Sequence, residues 1–468
     1  MRRSLQGLRA RRPLFERLWL DARPARRIVV GSLLAVLVGA LLLWSPLTHA
    51  PGQGIGFLAA LLTSTSALCT TGLSTVNVAK VFNVFGLLVL MALIQLGGLG
   101  LLTVSFWVAL HSRRGDSVRQ RLGVLEQLGI PGIADGVSLA RRVVTLSLAT
   151  EGVGALLLLP SFVGAEGWGR GSLYAALHSV MAFNNAGFGV YDDGLARFRG
   201  DVLLNLTLMA LIVLGGLGFV VLENVRGYLK TKLLGSKLLR NRRRSPLQTH
   251  TKIALTAFAA LIVVGAVGIT TLEWSRAFGD LPPWERVMAG TFQSVSARSA
   301  GFNTVDLAGF APATLALLML LMFVGANPNS TGGGIKGTTA FVLLAFSWAV
   351  VRGRTDARVF GRRVATLTLL RAVTVLMLGL IAVSCGVFAL TLTDPALPFL
   401  NVMFEAVSAF GTAGLSVDTT PRLSAGGQVV VTVLMFAGRV GFLTLLTAWG
   451  RRREPLVKYP EESSILVG

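Results

Sequence analysis

The sequence predicts an all-α polytopic membrane protein. Four parallel outer helix–pore helix–filter loop–inner helix repeats are expected around one pseudo-four-fold pore. Three observations predict this. The 468 residues are 53% hydrophobic and only 14% charged, with a mean hydropathy of +0.67. Apolar stretches recur at the ~20-residue length that lets a helix cross a bilayer, without the period-2 alternation of a membrane strand. Finally, Gly72, Gly187, Gly301 and Gly414 are separated by 115, 114 and 113 residues. Each sits in a short polar-and-small segment between apolar ones: S-A-L-C-T-T-G-L-S, M-A-F-N-N-A-G-F-G, V-S-A-R-S-A-G-F-N and S-A-F-G-T-A-G-L-S. Ala or Ser lies five residues before each glycine, and Leu or Phe follows it.

The elements follow in order. Residues 1–27 are a basic N-terminus. Repeat one fills 28–110, with spans near 28–47 and 84–110 and a re-entrant segment at 57–69. A linker and repeat two fill 111–225, with helices near 139–160, 173–184 and 201–225. A linker and repeat three fill 226–350, with helices near 253–274 and 285–298 and a broken inner helix over 313–350. A linker and repeat four fill 351–450, with helices near 364–392, 397–411 and 427–449. Residues 451–468 form a C-terminal tail, a candidate dimer or partner contact. Eight spans and four half-spans result. The apolar run from Ile28 to Trp44 exceeds the core of a signal peptide and reads as a retained first helix.

The net charge of +22 suggests nucleic acid only until its placement is examined. Of the 44 Lys and Arg, 34 fall in residues 1–27, 111–142, 225–252, 351–371 and after 450, while the alternate loops hold 8. This is the positive-inside asymmetry, repeated at every crossing. It places both termini in the cytoplasm and all four glycine segments on the outer side, in a cell membrane. The eight Trp lie at or near the expected span ends, where indole sits at headgroup level. Cys69 and Cys385 fall in different repeats, so no disulfide is expected. No HExxH, paired His/Cys ligands or Ser–His constellation occurs, so neither an enzyme nor a bound cofactor is expected.

The segments before the glycines are too short to cross and must return to the side they entered. Irregular backbone at membrane depth survives only inside protein or along water. Four re-entrant helices entering from outside aim their partially negative C-terminal ends at one centre. Glycine then lets adjacent carbonyls turn inward, and carbonyl rings can replace the hydration shell of K⁺.

The inner helices share a second glycine-rich level. They read L-G-G-L-G from Leu96 and again from Leu214, then V-G-A-N-P-N-S-T-G-G-G-I-K-G-T-T from Val324, then A-G-R-V-G from Ala437. Repeat three is broken here by Pro328 and the run Gly332–Gly334. Its order, Ile335-Lys336-Gly337, is not that of a phosphate loop. Repeat four carries Arg439, a costly residue in a membrane that must face a pore or a partner. Arg298 is expected behind the loops, paired with Glu405 or Asp306. Glu151 either pairs with a neighbouring helix or serves as a proton or Na⁺ site. Asp192, Asp193, Asp306 and Asp418 either concentrate cations at the mouth or are simply solvated.

These four units resemble the Ktr/Trk/HKT superfamily of potassium transporters, most sharply at S-A-R-S-A-G-F-N-T from Ser296 to Thr304. The length looks more like the Ktr-type membrane subunit than the longer Trk type. The resemblance implies K⁺ held by backbone at Thr70, Thr71, Gly72, Asn185, Ala186, Gly187, Ser299, Ala300, Gly301, Thr412, Ala413 and Gly414. It implies an intramembrane gating loop at Asn327, Pro328, Asn329, Ser330, Thr331, Gly332, Gly333, Gly334 and Lys336, with Arg439 as the matching inner-helix arginine. Some plant members carry Ser at the first glycine position and favour Na⁺, so Gly72 points to K⁺. A homodimer and a cytoplasmic ring of nucleotide-binding RCK-type subunits are further implications. Two functions stay open on this fold. One is channel-like K⁺ uptake, with Na⁺ as a possible modulator; the other is a coupled K⁺/Na⁺ or K⁺/H⁺ symporter.

Overall fold

The computed structural model describes residues 24–111, 133–233, 246–441 and 444–446. The N-terminal residues 1–23, the linkers 112–132 and 234–245, and the tail expected at 451–468 lie outside them. Repeat one consists of α1 (Pro24–Trp44), α2 (Phe57–Leu68) and α3 (Val84–His111). Repeat two consists of α4 (Ile133–Asn184), α5 (Val202–Leu217) and α6 (Phe219–Leu233). Repeat three has α7 (Thr249–Glu273), α8 (Pro283–Ser296), α9 (Pro312–Phe323) and α10 (Gly337–Val351). A two-residue-per-strand hairpin, Arg358–Val359 with Arg362–Arg363, leads into repeat four. That repeat has α11 (Thr366–Thr393), α12 (Phe399–Gly411) and α13 (Ala425–Val440).

Three of these helices are individually long and apolar enough to cross a bilayer: Arg141–Asn184, Thr249–Glu273 and Thr366–Thr393. The inner helices of repeats two and three are shorter because each is interrupted. Repeat three breaks between Phe323 and Gly337, where the sequence predicts. Repeat two departs from the expected single helix over 201–225. It bends by 102° between Leu217 and Phe219, at Gly218 with φ 91°. Helix α13 likewise stops at Gly441 with φ 86°. Both are the last glycine of the shared pentapeptide, and both take a backbone conformation in which a side chain is strained. A second difference lies in α4. Outer and pore helix run on from each other, separated at Gly167 (φ 76°, ψ 173°) rather than by a longer loop, and Pro160 sits inside the helix.

The exterior differs from that of a water-soluble bundle: Leu33, Leu37, Leu41, Val263, Val267 and Ile381 are exposed. The interior is packed with apolar clusters but also buries Thr63, Ser64, Thr65 and Ser66 of α2. An apolar outer surface suits a chain solvated by hydrocarbon. Trp44, Trp168, Trp274, Trp284 and Trp348 are exposed, in keeping with interfacial placement.

Small residues let outer and pore helices touch in the first three repeats. Ser64, Ser179 and Ser294 each donate a hydroxyl hydrogen bond to an outer-helix carbonyl, of Val36, Glu151 and Ile262, at 2.8, 2.6 and 2.8 Å. Gly39, Gly154 and Gly265 lie three residues beyond those acceptors, and a methyl on any of them would overlap the serine hydroxyl. This is close backbone approach through small residues, as in other membrane helix pairs. The repeats then close in cyclic order: α3 packs on α4, α5 on α8, α9 on α12, and α13 on α2.

Candidate functional site

The four glycine loops meet at the centre of this ring. A Cβ built on Gly72 would lie 2.8 Å from the Gly187 nitrogen. One on Gly187 would be 2.5 Å from the Gly301 carbonyl carbon, and one on Gly301 would be 3.1 Å from the Gly414 Cα. One on Gly414 would overlap the Thr71 oxygen and return to repeat one. Each loop therefore leans on the next, and no side chain has room at any of the four positions. Gly72, Gly301 and Gly414 also have φ of 100°, 79° and 81°, which disfavour any Cβ. Gly187 lacks a positive φ, so space alone demands glycine there.

Each pore helix ends in the same way. Two residues before each glycine, Thr70, Asn185, Ser299 and Thr412 adopt left-handed φ of 51°, 57°, 76° and 46°. In three repeats the next N–H reaches back five residues: Thr71 to Ser66, Ala186 to Met181, and Ala413 to Ser408, all at 2.8 Å. The left-handed residue's own N–H bonds three residues back, to Ala67, Ala182 and Ala409. This pair of bonds is the Schellman arrangement that ends many helices, here with Thr or Asn in place of glycine. Ala300 bonds Ser296 four residues back instead, at 2.9 Å.

The second glycine level explains itself by contact. A methyl on Gly97, Gly215 or Gly438 would overlap the carbonyl oxygen of Leu68, Phe183 or Phe410, near the C-terminal end of its own repeat's pore helix. The inner helices thus brace the loops. Gly325 of repeat three instead abuts Gly333, because that helix has unwound.

The unwound segment lies under the loops and is bonded to every repeat. Its ends are bridged, Val324 to Ile335. Asn327 and Thr331 donate backbone N–H bonds to Gly216 and Gly215 of repeat two, at 3.1 and 3.3 Å. Gly333 N–H donates to Thr412 Oγ1 at 2.9 Å, and Gly334 N–H to the Gly438 carbonyl at 3.3 Å. The Thr331 carbonyl accepts from Thr70 Oγ1 at 2.7 Å and from the Arg439 guanidinium. Arg439 also donates to the Gly97 carbonyl, so it ties the segment of repeat three to the inner helix of repeat one. Lys336 Nζ donates back to the Gly332 carbonyl at 2.8 Å. Arg439 and Lys336 line a cavity of about 380 Å³ on the inner side of the ring. A second cavity of about 400 Å³ opens outside it, reached by all four glycines and by Asp192 and Asp418.

Other predicted residues fall elsewhere. Arg298, 1% exposed, is buried behind the ring as expected but pairs with neither Glu405 nor Asp306. It donates to the carbonyls of Phe258 (3.3 Å) and Gly325 (2.8 Å) and stacks 4.1 Å over the Phe258 ring. Two backbone carbonyls, one within α7 and one at the helix break, supply what a carboxylate was expected to. Glu405 instead accepts from the hydroxyls of Ser416 and Thr420 and shapes its own outer loop. Glu151 takes the pairing alternative: it accepts from Gln95 at 3.1 Å and Asn184 at 2.9 Å. Gln95, a lone amide in an apolar run, offered a trace of that contact in the sequence. At the mouth, Lys80 and Asn77 bond Asp192 and hold its carboxyl below the usual range. Arg197 engages Asp193 at 3.1 Å, and Asp306 caps Ala308. Asp418 is exposed with no such partner among the described residues.

Comparison with known proteins now bears on this arrangement. Residues 33–452 match the family described as TrkH, cation transport protein. The Ktr system potassium uptake protein B of Bacillus subtilis is 34% identical over 445 residues, covering 95% of this chain and 96% of that one. Its Vibrio alginolyticus namesake is 36% identical, with 94% of each chain covered. This chain belongs to the Ktr/Trk superfamily of potassium transporters. The potassium/sodium uptake protein NtpJ of Enterococcus hirae is 33% identical over 95% of this chain and 97% of its own. The crystal structure of the potassium transporter TrkH from Vibrio parahaemolyticus shares the fold, with a TM-score of 0.69 over 91% of this chain and 85% of that one, at 18% identity. The chain is accordingly a membrane transport protein of mostly helical fold, and Ktr-type relatives match it nearly end to end.

Proposed function

We propose that this chain takes up K⁺ across the cell membrane by a channel-like route along the axis of the four loops. The observation that carries this is the ring itself. Four equivalent turns, each ending a helix at the centre, close on one another in cyclic order. Helix C-termini and converging carbonyls present negative partial charge to a monovalent cation and none to an anion. Backbone at Thr70, Thr71 and Gly72 and at the corresponding residues of the other repeats holds the dehydrated ion. Gly72 favours K⁺ over Na⁺, by resemblance to the family pattern.

The segment from Asn327 to Lys336, together with Arg439, acts as the gate. It lies across the inner end of the ring and brings two cationic side chains without a carboxylate partner among the described residues. Both termini lie in the cytoplasm, in keeping with the charge asymmetry. The chain works as a homodimer with a separate RCK-type regulatory subunit. The naming of two relatives as protein B of a Ktr system supports a multi-component assembly.

The test is the reversal potential of purified protein in opposed K⁺ and Na⁺ gradients. Reversal at the K⁺ equilibrium potential is expected, with a shift towards Na⁺ in Gly72→Ser. Equal permeability to the two ions would overturn the K⁺ assignment. A reversal potential that moved with the Na⁺ or proton gradient at fixed K⁺ would replace the channel with the coupled symporter.

A further inference from the structure

The four left-handed residues carry side chains that the ring does not need. Glycine would adopt φ near 50° without strain, whereas Thr70 and Thr412 are β-branched and strained there. Their side chains must therefore do something that glycine cannot. Three of them, on Thr70, Asn185 and Thr412, reach one place, the stretch Thr331-Gly332-Gly333 of the unwound segment. Thr70 Oγ1 donates to the Thr331 carbonyl at 2.7 Å. Gly333 N–H donates to Thr412 Oγ1 at 2.9 Å. With its amide turned to satisfy both its groups, Asn185 accepts from Thr331 Oγ1 at 3.2 Å. Ser299 differs: its hydroxyl donates to the Gly411 carbonyl at 3.0 Å, and it only packs beside Gly332, where an added methyl would lie 2.9 Å from its Cβ. Thr331 and Gly333 are thus held by side chains from repeats one, two and four.

We propose that Thr70, Asn185 and Thr412 are positioning residues that clasp the loop in its closed seat. The inner end of the ring and the gate then move together. This rests on the proposal that the loop is a gate. The clasp divides the work with Arg439. Thr70 and Arg439 grip the same carbonyl from neighbouring repeats, and Thr412 grips a separate amide two residues along.

Simple packing would make a different prediction. Thr→Val keeps the volume, the β-branch and the backbone strain and removes only the hydroxyl. If shape were enough, Val would serve. The experiment measures K⁺ flux and the K⁺/Na⁺ permeability ratio in proteoliposomes for T70V, T412V, T70S, R439A and the T70V/R439A pair. Loss of one hydrogen bond should raise flux roughly three- to tenfold in T70V and in T412V. T70S, which keeps the hydroxyl, should raise flux less than T70V does. Because T70V and R439A act on one acceptor, their combined effect should differ from the product of the two.

Unchanged or lower flux in both valine variants would overturn the clasp, as would effects that multiply independently. A rise in flux obtained only by losing the permeability ratio would show damage to the ring and would also overturn it. The two proposals fail separately. If R439A itself leaves flux unchanged, the loop is not the gate. If R439A raises flux and both valine variants do not, the gate stands without the clasp.

Discussion

Replacing Arg439 by Ala removes the strongest tie across the inner end of the ring. The guanidinium is 8% exposed and donates to two carbonyls on different repeats, those of Thr331 and Gly97. Hydrogen bonds from a charged donor are worth about 1.5–3 kcal/mol each, so about 3–6 kcal/mol of closed-state stabilisation is at stake. At about 1.4 kcal/mol per decade, the upper bound on the shift in the closed-to-open ratio is roughly 10²- to 10⁴-fold. Water entering the cavity beside Arg439 takes over part of the lost bonding to the two carbonyls. The working expectation is therefore a rise of at least about tenfold in K⁺ flux, at the low end of what two such bonds provide. Arg439→Lys should fall between, since one ammonium cannot span two carbonyls as the planar fork does. Flux is read in proteoliposomes at matched protein density. Thermal stability in detergent supplies the second readout. A buried cation without an acidic partner costs the fold about 2.5–3.5 kcal/mol on the insertion scale, which offsets much of the lost bonding, so the Ala variant should melt only slightly below the unmodified protein. Equal or reduced flux from a protein that melts normally would refute the reasoning.

Three further outcomes follow from the geometry. Gly414→Ala places a methyl on the Thr71 oxygen at φ 81°; the backbone term alone is about 1–2 kcal/mol, so flux should drop at least about tenfold, whereas Gly54→Ala, with nothing within 4 Å of its Cβ, should not change it. Glu151→Leu leaves the Gln95 amide short of an acceptor, at about 1–3 kcal/mol, while Asn184 keeps Gln95 and Val180; the melting temperature should fall, and fall less in Glu151→Gln. Asp418→Asn should weaken apparent K⁺ affinity at low ionic strength and have little effect near 0.15 M salt, where screening acts within about 8 Å. Asp192→Asn, whose charge Lys80 already balances, should be silent under both conditions.

The path from sequence to this site is uneven for physical reasons. Glycine spacing located the ring because a glycine forced by contact leaves a mark wherever the contact recurs. Gly97, Gly215 and Gly438 were visible on the same ground. Pro328 and its neighbours announced the break in repeat three because they cannot continue a helix. Gly218 and Gly441 did not announce theirs: a lone glycine in an apolar helix is compatible with both a straight and a bent backbone, and at Gly218 the choice goes with the Pro328–Asn329 backbone that packs against it. The left-handed Thr70 and Thr412 were invisible, since β-branched residues argue against the conformation they adopt. The expected partners of Arg298 failed because pairing by charge ignores carbonyls, and an unwound helix exposes several.

The closing segment belongs to one repeat only, and this has a consequence for dosage. In an assembly of four identical chains every substitution appears four times around the axis. A guanidinium introduced once would then become four at one level, repelling one another as strongly as they repel the ion. Fusing the repeats lets this chain place a single Arg439 and a single Pro328 and keep Gly98 and Gly216 where Arg439 would otherwise be copied. With this segment as the proposed gate, opening is a first-order event in one element and needs no cooperativity among four gates.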